Sequence, residues 1–194
     1  MKKYLEKIKR YSFLEILQKI LNRFELFFKI KTKFKNFGTI KRLRSESDNG
    51  LYLNTVKEAT QNEKKFNNFK SNQFYKGILE HVTYEYGLDY INIIKKDTDL
   101  LDKINDFLVN DEIGNPTRYF YDDLKTKISP STLRYIKVAS DIKKLFKDEI
   151  NNIIEIGSGY GGQYLILDQI QKINHYTLVD LYDVTKLIEK YLEC

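Results

Sequence analysis

The spacing of hydrophobic residues changes character near residue 150. Up to about residue 146, apolar residues recur at intervals of three and four, which is typical of amphipathic helices. Beyond that point, two short β-prone runs, 150–156 and 176–180, alternate with helical patterns over 164–170 and 184–192. A strand, a glycine-rich turn, a helix, a second strand and a second helix open a parallel α/β sheet. We therefore predict an α/β fold in which a helical N-terminal region precedes the start of a parallel sheet.

Breaker residues divide the helical part of the chain. The polar run 45–50 ends in glycine and marks the main internal boundary. Within the second part, we expect Gly87 to separate two helices and Ser129 to cap a helix that continues toward Phe146. The predicted parts are a basic amphipathic arm (1–45), a helical region (51–146) and the start of the α/β domain (147–194).

Positive charge is concentrated in the arm. Residues 1–44 contain 14 Lys and Arg against 3 Asp and Glu, whereas the remaining residues contain 19 basic and 24 acidic side chains. A basic amphipathic helix suits contact with an anionic membrane surface, and docking onto a glycosyltransferase fits nearly as well. An ordinary packed helix with a solvated basic face also fits. We do not expect nucleic-acid binding, because the charge belongs to the arm alone and its aromatic residues form one helix face.

The compartment is indicated by what the sequence lacks. No run reaches the roughly 18 apolar residues of a membrane-spanning helix, and acidic and basic residues interrupt the apolar part of a signal peptide. The single cysteine, Cys194, excludes an internal disulfide and suits a reducing environment. We expect a cytoplasmic protein, peripheral at the inner membrane face if the arm binds lipid.

The candidate chemistry lies in the segment 155–162, Glu-Ile-Gly-Ser-Gly-Tyr-Gly-Gly. The glycines free the strand-to-helix turn of side chains, so a ligand can approach the unpaired N–H groups of the helix start. An aspartate ends the second strand, where its carboxylate can accept hydrogen bonds from two ribose hydroxyls. The candidate cofactor-binding residues are Glu155, Gly157, Ser158, Gly159, Gly161 and Asp180.

The cofactor class is decided by Glu155. Gly157, Gly159 and Gly162 also match the dinucleotide pattern G-x-G-x-x-G. A carboxylate two residues before the first glycine would repel a pyrophosphate but would attract the methionine ammonium group of S-adenosylmethionine (SAM). This favours SAM and a Rossmann-like methyltransferase fold; a dinucleotide site and a purely structural turn remain alternatives.

Several segments together resemble the sugar O-methyltransferase family of bacterial surface-polysaccharide clusters, over roughly residues 75–192. The segments that carry the resemblance are 114–116, 128–135, 154–163, 179–181 and 187–192. The family has Asp-Leu-Pro after the second strand, where this chain has Asp180-Leu181-Tyr182. The resemblance implies that a methyl group passes from SAM to a sugar hydroxyl of a glycan substrate.

The resemblance also suggests that Arg134 and Tyr135 reach the SAM carboxylate or the substrate. An ion pair of Arg134 with Asp141 or Glu149 explains the arginine equally well. The aromatic residues 119–121 could stack on a sugar ring, but core packing is the preferred interpretation.

The catalytic base and any metal site are not identifiable from the sequence. His81 and His175 are the only histidines, and we expect both to be structural or solvated. Only two strands of the sheet are present, whereas a complete SAM domain has several more. We therefore expect a truncated chain, or one completed by a partner, with weak or no activity alone. A non-catalytic remnant that binds a partner or a membrane is the main alternative.

Overall fold

The structure, a computed structural model, describes residues 50–147, 150 and 152–194. The predicted arm, 1–45, lies outside the described residues. The described helices are α1 (Gly50–Gln61), α2 (Glu63–Phe66), α3 (Gln73–Lys76), α4 (Tyr84–Ile94), α5 (Thr98–Asp102), α6 (Pro130–Phe146), α7 (Gly162–Asp168) and α8 (Tyr182–Leu192). The 3₁₀ turns are Phe69–Ser71 and Asp106–Asp111, and the strands are β1 (Tyr119–Tyr121), β2 (Thr126–Ile128), β3 (Asn152–Ile156) and β4 (His175–Val179).

Helix α1 joins the helical region to the end of the chain by packing against α8. Both helices bury residues spaced three and four apart, which places the apolar side chains on one face. The buried faces consist of Tyr52, Thr55, Val56 and Ala59 on α1 and Val184, Leu187, Ile188 and Tyr191 on α8. Ion pairs flank this contact, Lys57 with Asp183 at 3.4 Å and Lys190 with Glu63 at 2.5 Å. The first described helix therefore stabilises the last one.

Helix α6 begins where the sequence predicts. The Ser129 side chain accepts a hydrogen bond from the Thr132 backbone N–H at 3.1 Å, and Pro130 occupies the first helical turn, where a missing N–H costs nothing. The helix packs against α4 on one side and α7 on the other. Its buried side chains include Leu133, Tyr135, Ile136, Ala139 and Ser140. The predicted start at Ser129 and end at Phe146 are both confirmed.

The parallel sheet consists of β3 and β4, in a register that pairs Glu155 with Leu178. Both strands and the helix between them match the predicted order. One sheet face packs against the core, whereas the other leaves Ile154, Ile156 and Val179 exposed by 69%, 82% and 43%. The described part of the chain is thus a mixed helix-and-sheet protein, in agreement with the α/β class.

Two sequence-based expectations are wrong in the helical region. Gly87 does not separate helices, because it lies inside α4 and the break falls at residues 77–83 instead. The region is also not wholly helical, since β1 and β2 form an antiparallel hairpin that pairs Tyr119 with Ile128. Long-range packing overrides local propensity at both places. Among the described helices, none combines the length and apolar character needed to cross a bilayer.

Candidate functional site

The turn between β3 and α7, here called the glycine loop (residues 157–161), depends on left-handed backbone conformations. Gly157, Gly159 and Gly161 have φ angles of +77°, +59° and +86°. Side chains with a Cβ adopt such angles only at a cost of about 1–2 kcal/mol per residue. The N–H of Gly157 donates to the Val179 carbonyl at 2.8 Å, which ties the loop to the end of β4. The three predicted glycines are therefore required by the backbone itself.

Asp180 lies against the glycine loop, as its position after β4 predicts. One carboxylate oxygen accepts a hydrogen bond from the Gly159 N–H at 2.8 Å, and the other accepts one from the Leu181 N–H at 2.7 Å. The carboxylate is only partly buried, so each oxygen keeps lone pairs for further donors. The two strand ends thus present an anchored carboxylate beside a backbone turn without side chains.

Glu155 has a partner of its own on the sheet. Its carboxylate accepts a hydrogen bond from the Tyr176 hydroxyl at 2.8 Å, across the strand pair. Burial raises the pKa of Glu155 above its usual value, and the hydrogen bond from Tyr176 opposes that rise. A neighbouring strand therefore orients this carboxylate, two residues before the first glycine of the loop.

Access to the glycine loop differs along its length. No described atom lies within 4 Å of the position where a Cβ would project from Gly157, and this residue is exposed. At Gly159, the corresponding position is 2.9 Å from a methyl group of Leu79. The loop is thus open at its first glycine and covered at its second by the segment between α3 and α4.

Tyr160 anchors the glycine loop in the core, a role that sequence reasoning missed. Its fully buried ring makes edge-on contacts with Phe69, Tyr135 and Tyr191, with centroids 5.7, 6.0 and 4.9 Å away. Its hydroxyl accepts a hydrogen bond from the Asn110 side chain at 3.1 Å. The sequence signal was an aromatic residue between two glycines, where a solvent-facing turn would carry a small or polar residue.

Lys70 is buried beneath this anchor. Its ammonium group lies 4.1 Å from the Tyr160 ring centroid and 4.7 Å from that of Tyr191. It donates hydrogen bonds to the Asn110 carbonyl and, at 3.2 Å, to the Tyr191 hydroxyl. Cation–π contacts of this kind are worth more when the cation is desolvated. A single lysine therefore connects the loop, helix α8 and the second 3₁₀ turn.

The charge state of Lys70 predicts a rise in stability with pH. Burial lowers the pKa of Lys70 from 10.5 to about 8, against the opposing charges of Glu80 and Asp111. Between these two values the unfolded chain holds a proton that the folded chain has released, so the free energy of unfolding increases with pH. We expect an upward slope of at most about 1.4 kcal/mol per pH unit, measured by urea denaturation between pH 7.5 and 9.5.

The matched control is Lys70→Met, which keeps the length of the side chain without the charge. In this variant the upward slope should disappear, while contributions from the other groups are common to both proteins. The pH range stays below the usual tyrosine pKa of about 10, because buried tyrosines contribute with the opposite sign above it. Equal slopes in the two proteins would show that Lys70 does not titrate in this range.

Other candidates from the sequence fall outside the loop. His81 and His175 are exposed, and the described residues contain no cluster of metal-ligand side chains. Arg134 does not pair with Asp141, which binds Lys137; instead, its guanidinium donates to the Leu79 carbonyl at 3.3 Å. Its other suggested partner, Glu149, lies outside the described residues.

The aromatic residues 119–121 divide between core and surface. Tyr121 is fully buried, as the core interpretation predicts, whereas Tyr119 and Phe120 are exposed by 37% and 49%. The buried ring stacks on Tyr84 with centroids 4.9 Å apart. This hairpin is therefore attached to α4 rather than to the glycine loop.

A scan with protein-family models finds no match for this chain, and searches of curated proteins and of solved structures find no significant match either.

Proposed function

We propose that the chain is a SAM-dependent methyltransferase that acts on a sugar hydroxyl in surface-polysaccharide biosynthesis. The observation that carries the proposal is the carboxylate of Asp180, held on the N–H of Gly159 at the rim of a glycine loop. The sugar comes from the sequence resemblance alone. A glycan is therefore the proposed substrate. The single cysteine suits the cytoplasm as the site of action, and the basic amphipathic pattern of the arm suits contact with a membrane or a glycosyltransferase.

The residues around the loop suit the cofactor. Asp180 has lone pairs available for two ribose hydroxyls, and the open side of Gly157 admits a ligand close to the backbone. Glu155 places negative charge two residues before the loop, which favours a sulfonium and an ammonium group. When bound, SAM supplies an electrophilic methyl group; the protein binds, orients and shields it, and such alignment supplies much of the rate enhancement.

A dinucleotide suits the same residues less well. Glu155 and Asp180 both lie at the loop, and Asp180 raises the pKa of Glu155 further through charge repulsion. A carboxylate at Glu155 opposes a pyrophosphate. Helix α7 is also only seven residues long, so its dipole offers little compensation.

Isothermal titration calorimetry with the full chain tests the proposal. We expect binding of SAM and of S-adenosylhomocysteine, and no binding of NAD. Asp180→Asn should weaken S-adenosylhomocysteine binding by about 10- to 100-fold, because it removes charged hydrogen bonds to the ribose. Asp183→Asn is the matched control, since Asp183 is three residues away and pairs with Lys57 instead. Binding of NAD without SAM would reject the proposal.

A second candidate is a non-catalytic module that assembles with a partner. The exposed isoleucines and valine on the open face of the β3–β4 sheet favour it, because exposed apolar clusters mark interaction surfaces. A chain that binds neither SAM nor NAD, but is otherwise folded, would support this candidate.

A further inference from the structure

Buried oxygen atoms without a hydrogen-bond partner are concentrated around the glycine loop. Among the described residues they occur on four side chains, and three of these are Tyr75, Glu80 and Ser158. Ser158 belongs to the loop, the Tyr75 ring packs against Tyr160 of the loop, and Glu80 follows Leu79, which covers Gly159. Their side chains are exposed by 0%, 7% and 5%. Unpaired buried polar groups are costly, so several in one place indicate a ligand that completes them.

Glu80 is the charged member of this group. Its carboxylate is buried, and the oxygen Oε1 has no hydrogen-bond partner. Burial raises the pKa of Glu80, and the positive charge of Lys70 opposes the rise. Lys70 is not its ion-pair partner, because the lysine donates to Asn110 and Tyr191. The carboxylate thus keeps one oxygen for a donor that is not part of the described chain.

The position of Glu80 connects it to the cofactor site. The preceding residue, Leu79, covers Gly159, whose N–H holds Asp180. The Tyr75 ring packs against that of Tyr160 in the loop, with centroids 6.4 Å apart. Ser158 is the residue before Gly159 in the loop. The unpartnered oxygens therefore belong to the covered side of the glycine loop.

The chemistry of these three oxygens matches an ammonium group. An ammonium ion has three N–H donors and no acceptor, and a carboxylate and two hydroxyls can all accept. Its positive charge also compensates the buried carboxylate, which a neutral hydroxyl would not do. Arg134 of helix α6 donates one N–H to the carbonyl of Leu79, the residue before Glu80, and has further N–H groups for a carboxylate. An α-amino acid carries both of these charges.

We propose that Glu80 binds the ammonium group of the methionine part of SAM directly, with the hydroxyls of Tyr75 and Ser158 as additional acceptors. The proposal rests on the SAM-dependent function argued above. Glu155, which the sequence assigns to this ammonium, is hydrogen-bonded to Tyr176 and acts on the cofactor at longer range.

The test compares two ligands that differ in the amino-acid part. S-adenosylhomocysteine carries the methionine-like head, whereas 5′-methylthioadenosine has the same nucleoside and thioether without it. We expect Glu80→Gln to weaken binding of S-adenosylhomocysteine by about 10- to 100-fold and to leave methylthioadenosine binding within twofold. Calorimetry of the full chain measures both affinities, and methylthioadenosine also reports that the nucleoside site is intact.

Glu155→Gln is the matched variant, because it removes the carboxylate that the sequence assigns to the same ammonium group. It should change the ratio of the two affinities less than threefold. Tyr75→Phe, which deletes one acceptor without a charge, should lower S-adenosylhomocysteine affinity alone, by about 3- to 10-fold.

The inference is overturned if Glu80→Gln retains the wild-type ratio of the S-adenosylhomocysteine and methylthioadenosine affinities. It is also overturned if Glu155→Gln, and not Glu80→Gln, removes the preference for S-adenosylhomocysteine. The proposed function survives both results. Wild-type protein that binds neither ligand would reject the proposed function and the inference together.

Discussion

Replacing Asp111 by alanine will lower the free energy of unfolding by about 3–5 kcal/mol. The carboxylate is buried and accepts hydrogen bonds from the Ser129 N–H at 2.6 Å, the Ser129 hydroxyl at 2.7 Å and the Thr132 hydroxyl at 2.6 Å. Without it, three donors at the start of α6 lose their shared acceptor inside the core. Urea denaturation followed by circular dichroism measures the change.

The matched control is Asp106→Ala, in the same 3₁₀ turn. Asp106 is exposed, so its replacement should change the free energy of unfolding by no more than about 0.5 kcal/mol. If Asp111→Ala cost as little as this control, the hydrogen-bond network at the start of α6 would have no energetic importance.

Gly87→Ala will destabilise the protein even though alanine is the better helix former. A Cβ at this position would lie 2.0 Å from the Tyr121 hydroxyl oxygen and 2.7 Å from the adjoining ring carbon. The Tyr121 ring is buried and stacked on Tyr84, so it cannot move away freely. Overpacking costs about 1–3 kcal/mol, and we expect the upper end of this range here. This cost exceeds the roughly 1 kcal/mol by which alanine stabilises a helix relative to glycine.

A double-mutant cycle isolates the cause. In a Tyr121→Phe background the nearest atom is absent, so Gly87→Ala should cost at least about 1 kcal/mol less than in the wild type. Gly77→Ala serves as the control, because its Cβ would meet nothing closer than a carbonyl oxygen at 3.5 Å. A stabilising effect of Gly87→Ala would show that Tyr121 adapts without cost.

The glycine loop shows how much of a candidate site can be predicted from the sequence. Three glycines separated by single residues predict a turn with positive φ angles, and Asp180 after the next strand predicts a carboxylate beside it. Both features are local consequences of a parallel strand–helix–strand unit, so pattern alone finds them. The segment between α3 and α4 that covers the loop could not be predicted in this way. Nothing in the sequence places Leu79 against Gly159 or leaves an oxygen of Glu80 without a partner.

Local chemistry explains which elements the sequence determined. The order β3, α7, β4, α8 follows from hydrophobic spacing, and the start of α6 follows from Ser129 and Pro130. Each of these features depends on neighbours within a few residues, which is the range over which periodicity and capping act.

Tertiary structure alone decided the buried polar network around the glycine loop. Lys70 and Tyr191 are hydrogen-bonded although 121 positions separate them, and Asn110 reaches Tyr160 across 50 positions. In the sequence, a lysine that will be buried is indistinguishable from one that stays solvated. Its desolvation cost and its hydrogen-bond partners exist only in the packed core. The sequence by itself therefore determined where the glycine loop forms, and packing determined which charges surround it.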